Sequence, residues 1–370
     1  MSAVSLRSPF SAKRLLVTGG AGFIGSAVVR SLLEHESARS HLERVVVLDA
    51  LTYAGHEINL QGLDADPRLA FVVGDICDHV RVNALFAEHR FDGVLHLAAE
   101  SHVDRSIEAA EAFIRTNVNG TFTLLEAARR SWTPDEGTER RFVHVSTDEV
   151  YGALGPTGVF TETTAYAPNS PYAASKAASD LLVRSYFKTH ALPAVITNCC
   201  NNYGPRQLPE KLIPLMIANA VEGKPLPVYG EGKQIREWIH VDDHADGLWA
   251  ALVRGAPGES YLFGSGEETN NKQMVELVAD TVDEHLGRPA GTARALIHYV
   301  PDRKGHDFRY AIDASKAERE LGWSPARKLA TELRATVAWY IANGAWRAAV
   351  ASVEHARFQK AYYPEAPEKR

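Results

Sequence analysis

Three cysteines in 370 residues, two of them adjacent, make no disulfide framework, and that scarcity suits a reducing cytoplasm, where we expect the protein. No stretch reaches the roughly 18 consecutive apolar residues of a membrane span. The first twelve residues lack the apolar core and small-residue cleavage site of a signal peptide, so 1–12 reads as a flexible extension. Basic runs are missing too. With 40 Lys and Arg against 46 Asp and Glu, the formal net charge is −6, which argues against a nucleic-acid footprint and for a small-molecule partner. There is no internal repeat and no extended low-complexity segment. His240 and His244 stand four apart, but the Glu of a zinc helix is absent between them, so no metal is expected. His96 and His102 read as structural, and Cys199 and Cys200 as small buried groups ending a strand.

What is present is an alternation of short β-rich runs with helical patterns. Arg44–Asp49, Leu69–Val73, Gly93–Leu97, Phe142–Ser146 and Ala194–Asn198 are separated by segments long enough for crossover helices, which implies a parallel sheet. We therefore expect an α/β fold: a doubly wound parallel (Rossmann) sheet with a smaller α/β substrate-binding lobe. The Rossmann domain should span 13–200 and the second lobe 201–361, where prolines crowd and polar motifs sit among short helices. Segments near 234–252 and 302–311 are expected to return to the first domain, and 362–370 reads as a frayed tail.

The first strand runs into glycines at Gly19, Gly22 and Gly25 and then an apolar-periodic helix through about His35. The first glycine allows a tight bend, the second a close approach of backbone N–H groups to a pyrophosphate, and the third close packing of helix on strand. Asp49 ends the second strand, where a dinucleotide site needs an acceptor for ribose hydroxyls. It would repel a 2′-phosphate and no arginine follows it closely, so NAD is expected rather than NADP. Ligands of such sheets sit beyond the carboxyl ends of strands, and there lie Gly19, Asp49, Asp75, Ala98 to Ser101 and Ser146 to Asp148.

Tyr172 and Lys176, four apart, share one face if helical, and the ammonium is expected to lower the phenol pKa. A tyrosine so tuned can take a hydroxyl proton while hydride leaves the same carbon. Asp148 and Glu149 add an acid and a base for a second reaction, so hydride transfer coupled to elimination is the implied pairing.

These segments, together with LTYAG (51–55), HLAAESHVDRSI (96–107), STDEVYG (146–152), NNYGP (201–205), EKLIP (210–214) and YGEGKQIREW (229–238), resemble the extended short-chain dehydrogenase/reductases and, within them, the dTDP-glucose 4,6-dehydratases, from about Arg14 to Ser324. The Thr147-Asp148-Glu149 order is the feature that separates dehydratases from epimerases and decarboxylases of that fold. The resemblance implies oxidation at C4 of the sugar by NAD, with Tyr172 and Lys176 handling the O4 proton and Thr147 holding O4. Glu149 then removes the C5 proton, protonated Asp148 releases the C6 hydroxyl as water, and hydride returns to C6. It places the cofactor against Phe23, Ile24, Thr52, Ile76, Ala98, Ala99, Ser101, Thr116 and Asn202 as well as the residues above. Substrate would meet Ser101, Thr147, Asn201, Lys211, Leu212, Pro227, Val228, Tyr229, Arg236, Asn271, Asp302, Arg303, Lys304, Gly305 and His306. Arg236 and Arg303 are suited to phosphate oxygens and Tyr229 to a base. Departures from the family pattern occur at Ala50, Ala173, Arg206 to Leu208 and Lys304, and the last bears on which base is accepted.

Two alternatives predict different behaviour. A related UDP-sugar dehydratase, 4-epimerase or decarboxylase would keep Tyr172, Lys176 and NAD, and the latter two would have no use for the acid at Asp148. A non-catalytic NAD sensor would not need the Tyr-Lys pair. The resemblance also implies a homodimer formed through the Tyr172 helix and an Ala109–Arg130 helix, with Ala174, Ala178, Leu181, Leu182, Ser185 and Tyr186 as the small and apolar surface offered.

Overall fold

The computed structural model describes residues 9–34, 41–132, 139–302 and 305–351. Most of the expected extension, the whole of the expected tail, and Arg303 and Lys304 lie outside them.

Mostly apolar runs form seven parallel strands: β1 (Arg14–Thr18), β2 (Arg44–Asp49), β3 (Leu69–Val73), β4 (Gly93–His96), β5 (Arg141–Thr147), β6 (Ala194–Cys199) and, later in the chain, a strand at Ser260–Phe263. The spatial order is β3-β2-β1-β4-β5-β6 with the Ser260–Phe263 strand outside β6, so the order reverses between β1 and β4. That reversal leaves a crevice above the carboxyl ends, the place where such sheets hold ligands. β1, β2 and β4 are buried on both faces, as parallel strands covered by helices must be.

Helix α1 (Phe23–Glu34) follows the glycine turn, and α2 (His79–His89) starts where Asp78 accepts from the backbone N–H groups of Val80 and Arg81. α3 (Val103–Glu108) and α4 (Ala110–Phe113) lead into a π-helical stretch, Ile114–Gly120, continued by α5 (Thr121–Ser131). The single helix expected over 109–130 is thus interrupted. The wide turn is held by buried side chains: Thr121 donates to the Asn117 carbonyl (2.6 Å), and Asn117 bridges to Glu100 and Ser175. Helix α6 (Pro171–His190) begins with Ser170 capping the Ala173 N–H (3.1 Å) and proline at its first position.

In the second half, β7 (Asn201–Tyr203) pairs with β9 (Ile235–His240), and β8 (Leu226–Tyr229) follows α7 (Leu212–Glu222). α8 (Val241–Arg254) packs on α1 and beneath the sheet through Ala245, Leu248, Ala251 and Leu252, and delivers the chain to β10, the Ser260–Phe263 strand. β11 (Glu268–Asn270) completes the small sheet with β9, and α9 (Asn271–His285) opens with a reciprocal Asn270–Gln273 capping box. β12 (Ile297–Val300) pairs with β8. α10 (Ser315–Leu321) returns to β10 and α8, while α11 (Leu329–Ala342) and α12 (Gly344–Val350) close the second lobe. A separate core of Tyr203, Ile213, Met216, Leu226, Met274, Val278, Leu333 and Tyr340 holds that lobe together.

Candidate active site

Among the expected cofactor residues, the glycine turn shows why it needs glycine. Gly19 has φ +71°, and a Cβ there would lie 2.7 Å from the Ala98 nitrogen; at Gly25 a Cβ would meet the Gly19 carbonyl oxygen at 2.0 Å. The missing side chain at Gly22 leaves the cleft mouth open beside the N-terminus of α1. Asp49 is tied to this turn: one carboxylate oxygen accepts from the Ala21 N–H and the other from the Leu51 N–H, both at 2.9 Å. Burial pushes its pKa up and those two bonds pull it down. Open glycine backbone, a helix N-terminus and a carboxylate at the end of β2 fit a dinucleotide with free ribose hydroxyls. Gly19, Gly22, Phe23, Ile24, Gly25, Asp49, Thr52, Asp75, Ile76, Ala98, Ala99, Ser101 and Thr116 all line one cleft of about 470 Å³. Asp75 is held by Arg115 (2.6 Å) and by the Cys77 N–H (2.8 Å).

The same cleft continues to Thr147, Asp148, Glu149 and Tyr172. Strand β5 ends at Thr147, whose hydroxyl accepts from the Glu149 N–H (3.3 Å), donates to Asp148 Oδ1 (3.2 Å) and hydrogen-bonds Tyr172. Asp148 is 2% exposed, and its Oδ2 is buried with no hydrogen-bond partner among the described residues. Burial, and then the charges of Glu149, Cys199 and Glu237, push the Asp148 pKa well above the carboxylate range against a smaller pull from Arg236. Asp148 therefore holds its proton more tightly than a free carboxyl does, beside the less buried side chain of Glu149. This inequality is what acid and base roles for two neighbouring carboxyls require.

Tyr172 behaves otherwise than its spacing suggested. Burial raises its pKa well above 10 and Glu149 adds to this, against a smaller pull from the Thr147 hydrogen bond. Lys176, one turn on and 3% exposed, donates to the Val145 carbonyl (2.9 Å). Burial brings Lys176 down to about 8 despite the opposing charge of Asp180. Asp180 is itself raised to about 6 by burial and accepts from Ser146 (2.9 Å), Tyr166 (3.0 Å) and Asn198 (3.3 Å).

Across the cleft the second lobe contributes Asn201, Asn202, Lys211 and Leu212. Lys211 reaches the Ser101 carbonyl at 3.3 Å, and the Asn201 side-chain oxygen is buried without a hydrogen-bond partner among the described residues. The remaining expected substrate residues, apart from Arg303 and Lys304, which lie outside the described residues, gather elsewhere, around Gln234. Gln234 donates to Asp302 (2.8 Å), its carbonyl accepts from the Asn271 N–H (2.9 Å), His306 bonds Asp302 (2.6 Å), and the rings of Tyr229 and His306 meet edge-on at 6.0 Å. Pro227 and Val228 lie in β8 beside them, and Gly305 takes φ +64°. None of this group lines the cleft. The Arg236 fork, expected to face phosphate, donates to the carbonyls of Ile235 (2.7 Å) and Asp307 (2.9 Å) and lies over Tyr310 (4.4 Å).

Several cleft residues escaped sequence reasoning. Cys199 and Cys200 are buried, yet they line the cleft. Burial would raise the Cys199 thiol, but Cys200, His244 and Asn202 outweigh it and bring it to about 5. His244, considered in the sequence only as half of a metal spacing, bonds the Asn202 side-chain oxygen at 2.9 Å. Behind the cleft lining, Asn117 pins the backbone of Glu100, which does line it, from both sides (2.8 and 3.0 Å). The repeated asparagines and cysteines in 117–119 and 198–202 were the available signal.

Comparison with known proteins agrees with this geometry. Residues 16–336 match the family model described as GDP-mannose 4,6 dehydratase. A dTDP-glucose 4,6-dehydratase of Neisseria gonorrhoeae is 54% identical over 338 residues, which is 90% of this chain and 96% of that protein. The crystal structure of DesIV, a dTDP-glucose 4,6-dehydratase of Streptomyces venezuelae with NAD bound, superposes with a TM-score of 0.84 at 48% identity, covering 91% of this chain and all of that one. A UDP-glucose 4-epimerase of Thermus thermophilus in complex with NAD shares the fold more distantly, with a TM-score of 0.77 at 30% identity over 89% of this chain and 99% of that one.

Proposed function

The chain belongs to the GDP-mannose 4,6 dehydratase family, and from that membership we propose that it converts dTDP-glucose to dTDP-4-keto-6-deoxy-glucose and water, with NAD as a resident cofactor. What NAD supplies when bound is a hydride acceptor for C4 and a hydride donor for C6. The chain's own residues handle the protons. Tyr172, bonded to Thr147, exchanges the O4 proton; Glu149 takes the C5 proton; Asp148 gives its proton to the departing C6 hydroxyl. Lys176 acts from beneath, held to the Val145 carbonyl.

The observation that carries dehydration, as against 4-epimerisation, is Asp148: a carboxyl 2% exposed that lines the cleft next to Glu149, its Oδ2 without a hydrogen-bond partner among the described residues. Epimerisation needs no such acid. Identity to the dehydratases, 54% against 30% for the epimerase, supports the same choice. Incubation with dTDP-glucose and with UDP-glucose, without added NAD and with mass analysis, tests it: loss of one water from the dTDP sugar is expected. Interconversion without mass change would favour the epimerase reading. Denatured protein should release NAD.

We also propose a homodimer in a cytoplasmic setting. Its support is the apolar surface on neighbouring helices, with Ile107, Ile114, Phe122 and Leu181 all at least 45% exposed. Leu181 rather than Leu182 presents this surface, since Leu182 packs partly on the core of its own chain and Tyr186 is buried with its hydroxyl on Glu126 (2.8 Å).

A further inference from the structure

The glycine turn is held from behind by the second lobe. Between β2 and β3 the chain makes a short 3-10 turn, Glu57–Leu60, whose Leu60 packs in the first-lobe core while Ile58 packs on the second. Between them Asn59, 1% exposed, uses every polar group it has. Its N–H donates to the His56 carbonyl (2.9 Å), and its carbonyl accepts from Arg30 (2.7 Å). Its side-chain Nδ2 donates to the Ala21 carbonyl (2.8 Å), and its Oδ1 accepts from the indole N–H of Trp346 (2.8 Å). Trp346 belongs to α12 and packs against Trp339 and Tyr340 with ring centres 5.0 and 5.9 Å away.

Ala21 sits inside the glycine turn. Its N–H is on Asp49 (2.9 Å), and its carbonyl also accepts from the His56 N–H (3.0 Å). The Ala21 carbonyl and the Gly22 N–H lie in one planar peptide. Fixing the first therefore fixes the second, which closes the turn on the Gly19 carbonyl (3.2 Å). We infer that Trp346 and Asn59 form a latch through which the C-terminal helices of the second lobe hold the pyrophosphate-binding turn in shape, so that retention of NAD depends on their docking. Both are positioning residues, and the inference rests on reading the glycine turn as the cofactor site.

Trp346→Phe keeps an aromatic ring in the cluster but removes the indole N–H together with part of the bicycle, leaving Asn59 Oδ1 buried without that donor; Trp323→Phe removes the same atoms. Loss of NAD from purified holoprotein during dialysis should become about tenfold faster. The matched control is Trp323→Phe, which removes an indole bond of similar length, 2.9 Å to the Asp243 carbonyl, in the first-lobe core with no link to Ala21. It should lower Tm by a similar amount and leave NAD retention as in the wild type. Asn59→Asp keeps the acceptor for Trp346 and removes the donor to Ala21, and should also release NAD faster. Equal release from wild type and Trp346→Phe, or equal release from the two tryptophan variants, would overturn the latch. Wild-type protein that carries no nicotinamide dinucleotide would overturn the cofactor reading, and the latch with it.

Discussion

Replacing Asp148 with Asn separates the two halves of the proposed reaction. The substitution is nearly isosteric at a position 2% exposed, and the amide can keep the hydrogen bond from Thr147 while its NH2 takes the place of the unpartnered Oδ2. It can donate a hydrogen bond to the C6 hydroxyl but cannot transfer a proton. Loss of a positioned general acid costs about 10²- to 10⁴-fold, or roughly 3–5 kcal/mol of barrier, and the cost should fall on water loss alone. Oxidation at C4 uses Tyr172, Thr147 and Lys176, which the substitution leaves in place. Rapid-quench mass analysis should then show the 4-keto sugar accumulating before any dehydrated product, alongside the absorbance of reduced nicotinamide. Folding should survive. Because the folded-state pKa of Asp148 is raised, the native protein binds the extra proton above the unfolded value of 3.8, and this residue's contribution to stability declines as pH rises toward the folded pKa. Asn has no such pH dependence, so Asp148→Asn should unfold at a Tm no lower than wild type at neutral pH. Wild-type turnover in this variant would refute the assignment of the acid and with it the case for elimination.

Tyr172→Phe should abolish C4 oxidation, leaving neither a keto sugar nor reduced nicotinamide in the same rapid-quench assay; any keto sugar formed at the wild-type rate would exclude Tyr172 as the proton acceptor. The rate of C4 oxidation should fall as pH rises through about 8, where Lys176 loses its proton, and Asp180→Asn should move that limb to lower pH because it removes the charge that raises Lys176. The sign for stability is opposite: with the folded pKa below 10.5, burying the ammonium costs stability that is recovered as pH rises between about 8 and 10.5, so activity should be lost while the fold persists by circular dichroism. Leu181→Glu places a charge on a side chain 57% exposed in one chain and should shift sedimentation toward monomer without lowering the Tm of the isolated subunit.

Local patterns in the sequence already carried the sheet and the glycine turn. Strand β3 falls on the residues its β-rich run marked, and Gly19, Gly25 and Asp49 were legible because their requirements are local: a positive φ, a Cβ with no room, an acid ending a strand. Tyr172 and Lys176 were legible as a helical pair for the same reason. Burial and long-range partners were not. The π turn at Ile114–Gly120 depends on Asn117 reaching Glu100 and Ser175, and the strand Ser260–Phe263 joins the first sheet only because α8 carries the chain back across it. Spacing put an ammonium near the Tyr172 phenol, whereas packing turned Lys176 toward the Val145 carbonyl, and burial and Glu149 govern the tyrosine. The Arg236 fork likewise went to backbone carbonyls that no motif reveals. Composition and periodicity determine which residues stand at strand ends and on helix faces. Which of them lose water, and which charges they then meet, depends on segments distant in sequence and is decided only when the two lobes close on one another.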